Sequence, residues 1–155
     1  MAVVLSDLLE EGRVTLELHA QTRDEALREI VATMCKTVEV CEEEKFLAEV
    51  IARENVHTTF MGHGIAFPHA RTEWVEQIVL GLGRSRAGIA FGAEGELAHL
   101  IFVIGVPKRM VTDYLVCVGA LARMTKEEAT RTALLEASSA ADLLQILREG
   151  SLRLE

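Results

Sequence analysis

A chain of 155 residues has the length of one domain and can bury roughly 70% of the surface its unfolded form exposes, with no need of a disulfide or metal staple. Half of its residues are hydrophobic and 26% are charged, which excludes a disordered chain. Sixteen basic against 24 acidic residues leave a net charge of −8, which argues against nucleic acid as the main partner.

Taken in order, Ser6 is placed to cap a short first helix, and Val14–Leu18 alternates as a strand does. Thr22 is placed as an N-cap with Glu25 as its capping-box partner. Behind it Ala26, Leu27, Ile30, Val31 and Met34 recur at helical spacing. Glu42–Arg53 reads as a second helix with Phe46, Leu47, Val50 and Ile51 inward, and Glu42-Glu43-Glu44 suits the positive end of its dipole. Ile78–Leu82 and Leu100–Val106 are β-branched runs bounded by glycine and proline, as buried strands are. Met110–Arg123, Lys126–Ala137 and Ala141–Arg148 complete the chain as helices. Residues 1–155 therefore read as a single α/β layered domain, with a mixed and mostly buried sheet flanked by helices.

Two further features bear on location. No apolar run reaches the roughly 18 residues of a membrane span, and no basic, then apolar, leader opens the chain. Cys35, Cys41 and Cys117 show no CxxC spacing, as suits a reducing compartment. A cytoplasmic protein without membrane insertion is expected.

Residues 56–110 hold 8 of the 11 glycines, both prolines and four of the five histidines, and their 4 acids and 5 bases nearly cancel. Within them the densest stretch starts just upstream, running from Arg53 and Glu54 through Thr58, Thr59, Gly62, His63 and Gly64 to Ile65-Ala66-Phe67-Pro68-His69. Pro68 fixes its own φ and restricts Phe67, so His69 sits on a stiffened backbone. Gly62 and Gly64 permit positive φ, where amide groups can converge on an anion. Thr58 and Thr59 offer hydroxyls, and Arg53 a charged planar fork suited to phosphate. A neutral imidazole is a nucleophile near pH 7 and can accept a phosphoryl group without a separate base. On the residues alone, His69 reads equally as an ordinary loop histidine. Arg53 reads also as a helix-end arginine bonded to exposed carbonyls or Glu49, and Thr59 as a turn hydroxyl.

This segment resembles the active-site signature of the fructose/mannitol-type enzyme IIA domains of the bacterial phosphotransferase system, including their nitrogen-regulatory branch. The Arg-Glu pair, the Thr-Thr step, the glycine-spaced loop and the Ile-Ala-x-Pro-His end follow in the family's order without gaps. Leu5-Ser6-Asp7-Leu8-Leu9, the helix after Thr22, and Gly88-Ile89-Ala90-Phe91 leading into Leu100–Pro107 extend the likeness over nearly the whole chain. The resemblance implies the enzyme IIA fold and a phosphocarrier rather than a stand-alone catalyst. His69 would be the phosphorylated nucleophile, Arg53 a phosphate-stabilising residue and Thr59 a nearby donor, with Gly62, Gly64 and His63 close to the phosphate. It implies an HPr-type phosphocarrier protein as donor. The acceptor would be a cysteine-bearing IIB domain in sugar uptake, or a kinase, transporter or transcription regulator. No cofactor is implied. The chain departs from the pattern at Asp113-Tyr114-Leu115, where the family commonly has a second histidine, so Tyr114 is expected beside the phosphoryl group. His63 stands where asparagine is usual, and Ala70-Arg71 replaces a small residue and lysine.

Other residues carry less. His57, His63 and His69 recur every six positions, but Gly62 and Gly64 interrupt any strand between them, so no metal site is expected. His99 reads as structural, His19 as surface and Cys117 as core, while Trp74 suits packing and contact equally.

Overall fold

The run read as Leu100–Val106 lies inside the strand on which the whole sheet is organised. The computed structural model describes residues 5–36 and 42–154, so Cys41 lies outside the described residues. Short 3-10 turns at Leu5–Leu8 and Glu11–Arg13 precede β1, Val14–Thr15. Two helices follow, α1 at Arg23–Met34 and α2 at Glu43–Val56. Then come β2 (Phe60–Gly62), β3 (Ile65–Ala66), β4 (His69–Thr72), β5 (Val79–Ala90) and β6 (Leu97–Pro107). The chain continues through α3 (Val111–Thr125), α4 (Glu128–Glu136) and α5 (Ala140–Leu154).

Among the described residues the sheet has six strands in the order β1-β5-β6-β3-β2, and β4 also pairs with β6. β5 runs antiparallel to β6, and β3 and β4 run parallel to it one after the other. Alternate residues of β6 face opposite layers, so both faces are buried. Leu100, Phe102, Ile104 and Val106 meet Cys117, Leu121 and Met124 of α3 and Leu143, Leu144 and Leu147 of α5. Ala98, Ile101 and Val103 meet the α1 stripe and Phe46, Leu47 and Val50 of α2. Leu27, Ile30, Val31 and Met34 are fully buried, each stabilising the fold by roughly 1.5–3 kcal/mol.

Local chemistry sets the element ends. Thr22 Oγ1 accepts from the Glu25 amide (3.3 Å) and donates to the Glu25 carboxylate (2.8 Å), the expected cap. Ser6 lies within a 3-10 turn, its carbonyl accepting from Leu9, rather than capping a helix. β1 has two residues in place of the five read as a strand, although the Leu18 amide still reaches the Arg84 carbonyl (2.8 Å). β5 starts one residue later than expected and extends eight residues further. Gly81 and Gly83 do not break it: a Cβ there would come within 2.6–2.9 Å of Met34 or Ile30, so the glycines admit α1 against the sheet.

Arg84 on β5 is 1% exposed. Its guanidinium donates to the carbonyls of Leu16 (3.0 Å), Leu134 (2.9 Å) and Ala137 (2.8 Å), joining the segment after β1 to the end of α4. Burial pulls its pKa below the ordinary value, yet an arginine stays protonated. Replacement by methionine keeps the bulk but orphans three carbonyls. Each buried unpaired acceptor costs about 1–3 kcal/mol, so Arg84→Met should lower the unfolding free energy by about 3 kcal/mol or more. Urea denaturation measures this, and an unchanged midpoint would refute the anchoring role.

Candidate functional site

The residues from Ile65 to Thr72 run along β6 in one register, Ile65 opposite Leu100 and His69 opposite Ile104. Proline has no amide hydrogen, so the ladder is interrupted at Phe67-Pro68 and resumes at His69. The Pro68 carbonyl still accepts from the Ile104 amide at 2.9 Å. His69 therefore starts a four-residue strand at a fixed position beside β6.

Its ring is held from two sides. Nδ1 lies 3.1 Å from the Phe67 carbonyl oxygen. A carbonyl only accepts, so Nδ1 carries the proton and Nε2 keeps its lone pair. The Tyr114 ring packs against it, with centroids 4.9 Å apart and planes at 37°. Tyr114 continues the apolar stripe of Cys117, Leu121 and Met124 by one turn, which is how α3 delivers it to His69. Burial, with help from the Arg53 charge, holds the His69 pKa below its ordinary 6.5 against the opposing pull of the Phe67 carbonyl and Glu54. Burial pushes the Tyr114 phenol up, Arg53 opposing. At neutral pH both rings are uncharged.

Arg53 and Glu54 leave the end of α2 on different faces. Arg53 Nη1 donates to the His57 carbonyl (2.7 Å), one of the two contacts open to a helix-end arginine, while its charge reaches His69 and Tyr114. Glu54 shares the inward face of Phe46 and Val50 and is 2% exposed. Its carboxylate accepts from Thr58 Oγ1 (2.7 Å), the Thr59 amide (2.7 Å) and Thr59 Oγ1 (2.6 Å). The Thr59 hydroxyl proton is thus directed to Glu54, and the pair fixes the path from α2 into β2.

The glycine loop is elsewhere. Gly62 pairs with Ile65, and His63 and Gly64, at φ 54° and 78°, form a two-residue hairpin turn of the mirror-image kind. Such turns favour asparagine and tolerate histidine in the left-handed region, which explains His63. The turn faces Ala122, Thr125 and Lys126 at the end of α3, whereas Tyr114 and His69 meet at its start. Leu100 and Ile104 are separated by about 13 Å along β6. The structure joins His69, Arg53 and Tyr114 and sets Gly62, His63 and Gly64 apart from them.

Beside His69 is an open cleft of about 510 Å³, lined by Glu49, Ala52, Arg53, Ala70, Arg71 and Lys108. Among the described residues no group of three metal-ligating side chains converges. His99 is half-buried with Nδ1 3.0 Å from the Ser85 carbonyl, and His19 is exposed near Glu29. Trp74 packs under Lys45, whose Nζ lies 4.3 Å from the ring. Cys117 is buried, and burial pushes its thiol up to about 11.

Because the Thr59 hydroxyl meets a buried carboxylate, Thr59→Val should cost about 1.5–3 kcal/mol, and Thr59→Ser should restore most of it. Thermal unfolding of both variants tests this; equal losses would refute the hydroxyl's part.

Comparison with known proteins agrees with this architecture. The sequence profile described as "Phosphoenolpyruvate-dependent sugar phosphotransferase system, EIIA 2" matches residues 7–150. A fructose-specific EIIA component of Haloferax volcanii is 32% identical over 88% of this chain and 89% of its own. A fructose-specific EIIABC component of Bacillus subtilis is 26% identical over 94% of this chain, which spans only 23% of that protein. Among solved structures, nitrogen regulatory protein IIA-Ntr of Neisseria meningitidis superposes with a TM-score of 0.84 at 24% identity, covering 92% of this chain and 97% of that one. Among the described residues no helix is long and apolar enough to cross a membrane. The six-stranded mixed sheet between two helical layers is the enzyme IIA fold, and the chain belongs to the EIIA 2 family of the phosphoenolpyruvate-dependent sugar phosphotransferase system.

Proposed function

We propose that His69 is the phosphoryl acceptor of a phosphocarrier domain, taking its group from an HPr-type phosphohistidine protein. The observation that carries this reading is the Nδ1–H bond to the Phe67 carbonyl, which leaves Nε2 as a free lone pair beside a cation-lined cleft. Nε2 attacks phosphorus in line, the donor's P–N bond breaks, and the donor imidazole keeps the electron pair. The Nδ1 proton stays against the carbonyl, so the product is a phosphoimidazolium, which is itself a good leaving group. In the onward step a cysteine thiolate of a IIB domain takes the phosphoryl group and His69 returns to its neutral form. The Bacillus subtilis relative, named for A, B and C components, fits such an acceptor. Arg53 would place its free guanidinium hydrogens against the equatorial oxygens. Thr59 and Glu54 position the segment.

A second reading is favoured by Tyr114. It is a neutral donor where the family commonly has a titrating histidine, which suits a site that holds phosphate as a signal for a regulatory target. Transfer from the phosphorylated protein to a IIB cysteine supports the carrier role. Retention of the phosphate, with a target bound in only one phosphorylation state, supports the regulatory one.

Incubation with phosphoenolpyruvate, enzyme I and HPr, followed by intact mass measurement, should add one acid-labile phosphate, absent in His69→Ala. Uptake by His69→Ala at the normal rate would refute the assignment. Arg53→Ala should slow phosphorylation about a hundredfold, with Arg53→Lys intermediate because it keeps the charge but loses the fork. The acceptor must be neutral and its pKa lies below 6.5, so the rate should be flat through neutrality and fall only in acid. A rate still climbing between pH 7 and 8 would contradict a neutral His69.

A further inference from the structure

We infer that Arg71 and Lys108 form a second, independent phosphate clamp for the group carried by His69, with Glu49 opposing them. The inference rests on His69 as the phosphoryl acceptor but does not follow from it. Arg71 lies two residues beyond His69 on β4, so both side chains leave the same face of the strand. Val106 is the register partner of Arg71, and Lys108 follows two residues later, just past the end of β6 at Pro107. Both cations line the cleft that contains His69, and both are exposed. Neither makes a hydrogen bond or ion pair with any described residue, whereas Arg53 is anchored on the His57 carbonyl. The cleft thus has three cations, from α2, β4 and the turn after β6, and one carboxylate, in a chain whose net charge is −8.

A phosphoryl group brings close to two negative charges, and one half-engaged guanidinium cannot surround three oxygens. Arg71 supplies a second fork from the strand that carries the nucleophile, and Lys108 a mobile point charge from across the ladder. Glu49 has a buried Oε2 with no hydrogen-bond partner, and it lines the same wall. Its charge repels a phosphoryl group and attracts the two free cations. The carboxylate therefore limits how tightly phosphate is held, and the cations set the lifetime of the phosphohistidine.

The test uses two probes that require no partner protein. Inorganic phosphate is titrated at constant ionic strength while the His69 ring resonances are followed in 15N-histidine-labelled protein. Separately, phosphoramidate phosphorylates the protein with release of ammonia, and the phosphohistidine half-life is measured. Arg71→Ala and Lys108→Ala should each weaken phosphate binding and shorten the half-life about three- to fivefold, the upper part of the range for exposed charge pairs. Glu49→Gln should move both quantities the other way, and Arg71→Lys should lie between wild type and Arg71→Ala. Arg123→Ala, an exposed cation in the last turn of α3, should change neither. The clamp is overturned if Arg71→Ala and Lys108→Ala match wild type in both measurements, or if Arg123→Ala produces the same loss. A wild-type protein that phosphoramidate does not label would refute His69 as acceptor, and the phosphate titration alone would then decide the clamp.

Discussion

Pro68 lacks an amide hydrogen, and much of the site depends on that one missing donor. Without it, residues 65–72 would run along β6 as one continuous parallel strand, since the register before and after the break is the same. With it, the strand stops at Ala66 and restarts at His69, while the Phe67 amide donates to the Thr59 carbonyl (3.2 Å) on the β2 side. The Phe67 carbonyl accepts from His69 Nδ1 where the strand is interrupted. A rigid step in the backbone thus settles which imidazole nitrogen bears the proton, and with it which nitrogen can act as a nucleophile.

The same step links the site to both helical layers. α3 lies against one face of the sheet and delivers Tyr114 to the His69 ring. α2 lies against the other and delivers Arg53, with Glu54 buried one residue on. A buried carboxylate is costly to hold unless hydrogen-bonded, and Thr58 and Thr59 provide three donors. Local satisfaction of Glu54 therefore ties the end of α2 to the start of the β2–β3 hairpin. The Arg53–His69 relationship follows from that tie and from the β4 register, with no direct bond between the two side chains needed.

Parts of this were legible in the sequence because they rest on local periodicity. The Thr22–Glu25 cap, the α1 stripe and the central buried strand come from spacings of three, four and two residues. The extent of β5 was not legible, since Gly81 and Gly83 look like breakers until α1 is seen lying over them. Gly62 and Gly64 read as breaks in a strand and as a path for an anion, and the hairpin turn at His63-Gly64 is not legible because histidine in the left-handed region is uncommon. Arg84 could not be read at all: its acceptor carbonyls lie 68, 50 and 53 residues away. Glu54 did leave a signal, a carboxylate on the same helical face as Phe46 and Val50.

Tyr114, standing where the resemblance implies a second histidine, bears on the electrostatic character of the site more than on its shape. Its aromatic ring packs against His69, whose pKa is lowered chiefly by burial. An imidazole there would gain and lose a positive charge near neutrality, and would tie phosphate stabilisation to pH. A phenol whose pKa burial pushes above 10 cannot do this. The cations that remain near His69 are two arginines and a lysine. His69 itself is held below its ordinary 6.5 and is neutral at pH 7, and it stands among these cations. On the proposed phosphocarrier reading, readiness to accept a phosphoryl group depends on that neutrality, and retention of the group on the charges around it.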